Sequence, residues 1–166
     1  FLNSCLGFKE IAQSYAKQAQ VVICKIDNSS WSQGYSLLFM GLTYKNLGEL
    51  DKSFEMFRQA IAFAEKTHYT QVKAKALSGM AELYREQSDF TTALSHHSES
   101  IALLDKIGAK CDLAEAHYQR ALTHQKMGDA EQSQTPFQEA IRLFNEMEAP
   151  KQVEKVRKAI GKSDEL

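Results

Sequence analysis

The residues best equipped for chemistry are five histidines and three cysteines. His117 and His124 lie seven positions apart, so a helix would place both on one side. No carboxylate completes a metal-ligand spacing around them, and both fall where large side chains pack, so they read as core or interface imidazoles. His96 and His97 are adjacent and must point in different directions on a helix. Cys5, Cys24 and Cys111 are odd in number and widely spaced, with no C-x-x-C, which suggests neither a disulfide framework nor a zinc site. Cys111 precedes Asp112 at a helix start, where a thiol pKa can fall, but an incidental thiol is the ordinary reading. Gly-rich phosphate loops, G-x-S-x-G and H-E-x-x-H are all missing. The expectation is a non-enzyme with no catalytic residues, no metal and no cofactor.

Composition narrows the class further. The 166 residues are 43% hydrophobic and 25% charged, the mixture of one ordinary globular domain. Two prolines and eight glycines are too few for a turn-dense β fold. A net charge of −1 with interspersed signs offers no basic field for nucleic acid and no polybasic membrane patch. No apolar run approaches the ~18 residues of a membrane span. Unpaired thiols point to a reducing, cytoplasmic setting. The chain opens at Phe1 inside an expected helix, so it reads as a piece of a longer protein. Ser163–Leu166 is similar to a retrieval tail, an address that is meaningful only with a signal peptide.

The elements that carry these residues emerge when the chain is laid on itself at a spacing of 40. Gly41, Ala81 and Ala121 align as small residues, and Tyr44, Tyr84 and His124 as large ones. Gly48, Ser88 and Gly128 align as turn residues. In the following helix Ser53, Ala93 and Ser133 align, then Phe57, His97 and Phe137, then Ala60–Ile61, Ser100–Ile101 and Ala140–Ile141. Small residues belong where helices cross closely, and glycine where a helix ends in the left-handed conformation. Asp51, Asp89 and Asp129 fall near helix starts, where a carboxylate caps free amides. Eight helices are expected, near 3–25, 31–46, 50–66, 70–86, 90–106, 110–126, 130–147 and 150–161. Asp27–Ser30 is the clearest loop, with Ser29 or Ser30 as a cap. Pro136 conflicts with the seventh helix. A kink near Gln132 keeps Ser133 on the inner face, and a late start at Thr135 is the other option.

The order Leu37, Gly41, Tyr44, Gly48, Phe57, Ala60 resembles the tetratricopeptide repeat, in a variant longer than the usual period of about 34. That resemblance implies an all-α fold, a right-handed α-solenoid of antiparallel helix pairs. Residues 1–28 would be the second helix of a truncated leading repeat, and 31–69, 70–109 and 110–149 full repeats. Residues 150–166 would be a capping helix and tail, with Val153, Val156 and Ile160 covering the last repeat.

The resemblance also implies a concave groove lined by the first helix of each pair, where another protein lies. By register the lining is Tyr35, Leu38, Leu42, Lys45 and Asn46, then Lys75, Ser78, Glu82, Arg85 and Glu86, then Glu115, Tyr118, Leu122, Gln125 and Lys126. Tyr35, Leu38 and Leu42 would meet apolar anchors of a peptide or amphipathic helix, and Glu82 and Arg85 its polar groups. Alternatively Leu38 and Leu42 are covered, by the leading repeat or by Trp31. The Lys, Arg and Asn clamp that grips acidic C-termini is only loosely echoed, by Lys45, Asn46 and Arg85. A rival to the binding role is self-assembly to a homo-oligomer through exposed solenoid ends, seeded by Phe1, Leu2 and Leu6.

Overall fold

Six turns spaced twenty residues apart punctuate the chain. Backbone φ is positive at Gly48 (78°), His68 (61°), Ser88 (63°), Gly108 (68°), Gly128 (80°) and Glu148 (52°). After each, the next amide bonds a carbonyl five residues back: Glu49 to Tyr44, Tyr69 to Ala64, Asp89 to Tyr84, Ala109 to Leu104, Asp129 to His124 and Ala149 to Phe144. This is the left-handed helix stop that satisfies otherwise orphaned carbonyls.

The computed structural model describes residues 7–23 and 31–161. Among them are eight helices: α1 Lys9–Ile23, α2 Trp31–Leu47, α3 Leu50–Thr67, α4 Thr70–Glu86, α5 Phe90–Lys106, α6 Lys110–Lys126, α7 Ala130–Glu146 and α8 Pro150–Gly161. The seven from residue 31 onward lie within one residue of their expected bounds. The Asp27–Ser30 loop, Phe1, Leu2, Leu6, Cys5, Cys24 and the Ser163–Leu166 tail lie outside the described residues. Asp89 and Asp129 accept hydrogen bonds from the amides of Thr92 and Gln132. Asp51 sits in the first turn of α3, where its charge meets the helix dipole. α7 starts at Ala130 under the Asp129 cap and runs through Pro136. The late start at Thr135 is thereby overturned, and Ser133 stays buried.

Each helix packs on its neighbours in sequence, α1 on α2 through to α7 on α8. In addition α2 touches α4 and α4 touches α6, while no comparable contact joins α3 to α5 or α5 to α7. The first helix of each pair therefore lies on the shorter, inner track of an all-α solenoid. The crossings are close. A Cβ on Gly41 would sit 2.5 Å from the Phe57 ring, and one on Gly79 2.4 Å from it. Phe57 is thus gripped between α2 and α4 and is fully buried. Ala81 and Ala121, at the register of Gly41, are likewise fully buried. Buried hydroxyls tie the pairs together: Ser53 donates to the Gly41 carbonyl and Ser100 to the Ala74 carbonyl, each at 2.7 Å. Ser133, at the register of Ser53, instead bonds its own helix at Ala130.

Left-handed turns at non-glycine residues carry a cost of about 1–2 kcal/mol, partly offset by the greater unfolded freedom of glycine. Ser88→Gly should therefore stabilise the protein by about 0.5–1 kcal/mol, and Gly128→Ala should destabilise it by about 1–2 kcal/mol. Urea unfolding of both variants beside the parent checks the pair of signs.

Candidate functional site: the concave face

Two hollows lie side by side on the inner face, sharing α6 as their partition. The central one, of about 370 Å³, opens between α2, α4 and α6. Of the residues expected in the lining, Leu38, Leu42, Lys45, Asn46, Lys75, Ser78, Glu82 and Glu115 surround it. Gly79, Leu104, Asp112, Ala116 and Gln119 complete it and were not anticipated. The second hollow, of about 470 Å³, separates α6 from α8. Tyr118, Leu122 and Gln125 form one wall as expected, and Lys151, Glu154, Lys155, Lys158 and Ala159 form the other. Tyr35, Arg85, Glu86 and Lys126 line neither.

Several of these side chains are committed within the protein. Leu38 is only 1% exposed and belongs to the core with Phe57 and Leu83, so it forms floor and offers almost no surface. The apolar edge is left to the half-buried Leu42. Trp31 is 62% exposed and packs edge-on against Tyr35, with ring centroids 5.9 Å apart. The Tyr35 hydroxyl donates to Gln71 Oε1 at 3.0 Å. Tyr118 is buried, and Lys155 Nζ stands 4.3 Å from its ring centroid.

The charged middle of the face neutralises itself. Lys45 of α2 pairs with Glu82 of α4, and Lys75 of α4 with Asp112 of α6, which also accepts from Gln71. Arg85 of α4 donates to the carbonyl and the side-chain oxygen of Gln119, both at 3.0 Å, and Lys155 of α8 pairs with Glu115 of α6. Glu82 and Arg85, expected to meet a partner's polar groups, are bound here to neighbouring first helices. These contacts span 34 to 41 residues in sequence, or roughly one repeat. The lysines of α8 were legible in the register, since Glu115 and Tyr118 advance by forty to Lys155 and Lys158. Leu104 gave no such signal, because it reaches the face from a second helix.

Behind the face lies a buried polar seam between α5 and α6. His97, at the register of Phe57 and Phe137, is fully buried, with Nε2 3.1 Å from the Thr123 hydroxyl and Nδ1 without a partner. Burial, aided by Arg85 and Arg120, holds its pKa down at about 3. His117 and His124 are also shifted down, both chiefly by burial. Among the described residues no three His, Cys, Asp or Glu side chains converge as metal ligands, and Cys111 is an exposed free thiol. None of the described helices is long and apolar enough to cross a membrane.

Paired helices with small residues at their crossings, left-handed stops and a lined inner face define a tetratricopeptide-like repeat protein. More narrowly, residues 2–160 match the MalT-like TPR region, and the chain belongs to that family. Among solved structures it is similar to the crystal structure of BtubC (BKLC) from P. vanneervenii, with a TM-score of 0.61 at 11% identity. That match covers 98% of this chain and 76% of the other, and it speaks to the fold alone. No match was found among curated proteins. Repeats of this kind are typically non-catalytic and generally mediate contacts between proteins.

The seam sets a pH dependence with a definite sign. A buried His97 stays neutral in the fold, while the unfolded chain takes up a proton near the ordinary imidazole pKa of about 6.5. Stability should be level above that value. It should fall as pH drops toward 3, by up to about 1.4 kcal/mol per unit from this one residue. His97→Gln should flatten the slope, as read from urea midpoints on either side of pH ~6.

Proposed function

We propose that the concave face of α2, α4 and α6, with α8 closing its far end, holds a segment of another protein, and that the chain is a non-catalytic scaffold built of the repeats 31–69, 70–109 and 110–149. The observation that carries this reading is the central hollow. It has an apolar floor of Leu38, Leu42, Leu104 and Ala116 beneath a rim whose charges are already paired. A self-neutralised rim selects little by charge, so affinity would come from apolar anchors packed against the half-exposed Leu42 at the edge of the floor. The second hollow beside it offers another seat next to Leu122, which suits a peptide or helix with two spaced anchors. The paired ions of the rim also weigh against an acidic-terminus clamp, which needs several convergent unpaired donors.

Self-association is a second reading, favoured by the contrast between the two ends. Phe8, just before α1, and Ile11 and Tyr15 within it are about half exposed. At the other end α8 carries the exposed charges Glu154 and Arg157 at the register of Ala114 and His117, a polar terminus that resists stacking. Light scattering over a concentration series separates the readings, because the scaffold stays monomeric and an assembly module does not.

Leu42→Glu places a charge at the mouth of the hollow without entering the closed core. It should cut recovery of groove partners about tenfold or more, while the exposed Arg58→Glu on α3 should leave recovery unchanged. Equal recovery by both variants and the parent would remove the groove from the account.

A further inference from the structure

The far end of the concave face differs from its centre in charge. α8 stands at the register of α2, α4 and α6, and its Lys151, Lys155 and Lys158 follow one another at spacings of four and three residues, so they share one face. That face is the α8 wall of the second hollow, opposite Tyr118, Leu122 and Gln125 of α6. We propose that this hollow seats an acidic stretch of the partner, with side-chain carboxylates against Lys151 and Lys158 and an apolar flank on Leu122 and Ala159. The inference rests on the concave face being the partner groove, and it adds the chemistry that the far end of that groove selects.

The contrast between the two hollows carries the argument. The central lining sets Lys45 and Lys75 against Glu82, Asp112 and Glu115, two cations to three carboxylates. The second lining sets three lysines against Glu154 alone. Cations still outnumber carboxylates there when Glu115, the partner of Lys155, is counted in. The excess is local, since the chain as a whole carries a net charge of −1. A neutral centre and a basic end together orient a bound segment, its apolar anchor at Leu42 and its acidic end toward α8.

The charges are within reach of a guest. The Lys158 side chain is 72% exposed, and Lys151 is exposed and forms no ion pair among the described residues. The one carboxylate of the wall does not close the site. Glu154 is itself 65% exposed and accepts from Lys158 at 2.7 Å within its own helix. An exposed pair of that kind is weak, so an arriving carboxylate competes for Lys158 on near-equal terms. Lys155 is already held by α6, with Nζ 3.1 Å from both Glu115 oxygens and 4.3 Å from the Tyr118 ring centroid. Gln125 donates to the Ala159 carbonyl at 3.2 Å, which ties α6 to α8 beside the hollow. Three ammonium groups next to apolar surface suit a short acidic segment, whereas a nucleic-acid backbone calls for a longer basic track.

The test is fluorescence anisotropy of the whole chain with a labelled amphipathic peptide that carries leucines along one face and glutamates gathered at one end. Its twin has glutamine in place of each glutamate. The acidic peptide should bind the parent about three- to tenfold more tightly than the twin, and the gap should narrow as salt rises. Lys151→Gln combined with Lys158→Gln should bring the two peptides to one affinity. Lys66→Gln combined with Lys106→Gln makes the same change in net charge on exposed positions of α3 and α5, and it should leave the gap intact. Circular dichroism matching the parent confirms that each variant is folded. Equal affinity of the two peptides for the parent, or a gap that survives loss of Lys151 and Lys158, would overturn the acidic seat. In that case Leu42→Glu still weakening both peptides would leave the groove standing. Binding of neither peptide would count against the groove and this inference together. An oligonucleotide that binds the parent more tightly than the acidic peptide, and is lost with the same two lysines, would reassign the wall to nucleic acid and overturn the proposal.

Discussion

The close crossing of three helices around one buried ring is the constraint from which the rest follows. Phe57 projects from α3 into a slot between Gly41 of α2 and Gly79 of α4, and neither glycine can carry a Cβ without overlapping it. Because α2 and α4 both close on the same ring, successive first helices are drawn together on one side of the array. The second helices are left apart, and the curl of the solenoid results. The slot differs along the chain even where the ring is the same. Phe57 meets two glycines, whereas Phe137, also fully enclosed, sits at a register where the small residues are Ala121 and Ala159.

Once the first helices are close, their polar side chains reach one another. Lys45 with Glu82, Lys75 with Asp112, Arg85 with Gln119 and Lys155 with Glu115 form rungs from α2 to α8. Partly exposed pairs of this kind contribute about 0–1 kcal/mol each, so they do not hold the fold together. Their effect is on the surface: they remove charge from the centre of the concave face and leave its apolar floor as the feature a partner would meet. The middle unit adds a polar seam of its own, since His97 replaces the ring found in the units on either side. That imidazole is tolerated because Thr123 meets one of its nitrogens.

How far the sequence revealed this depended on the range of the physics involved. Helix bounds were legible because each stop needs a left-handed residue and each start favours a cap, signals confined to a few positions such as Gly128 and Asp129. The small positions Gly41, Ala81 and Ala121 were legible because close approach excludes large residues. The face itself was legible only in part. Register showed which helices line it, yet the burial of Leu38, the pairing of Glu82 with Lys45 and the covering of Tyr118 by Lys155 depend on distances between helices, which no single-helix pattern encodes. Gly79 was passed over because the repeat holds Gln119 and Ala159 at the same register, and only the packed ring explains why glycine stands there.

A double-mutant cycle on Phe57 and Gly79 tests the central constraint most directly. Gly79→Ala alone should destabilise the protein by about 1–3 kcal/mol through overlap with the ring. In a Phe57→Leu background, where the slot is relieved, the same substitution should cost at least about 1 kcal/mol less. Unfolding free energies that instead add to within about 0.5 kcal/mol would show that the ring and the glycine do not constrain each other, contradicting the crossing on which the array is built.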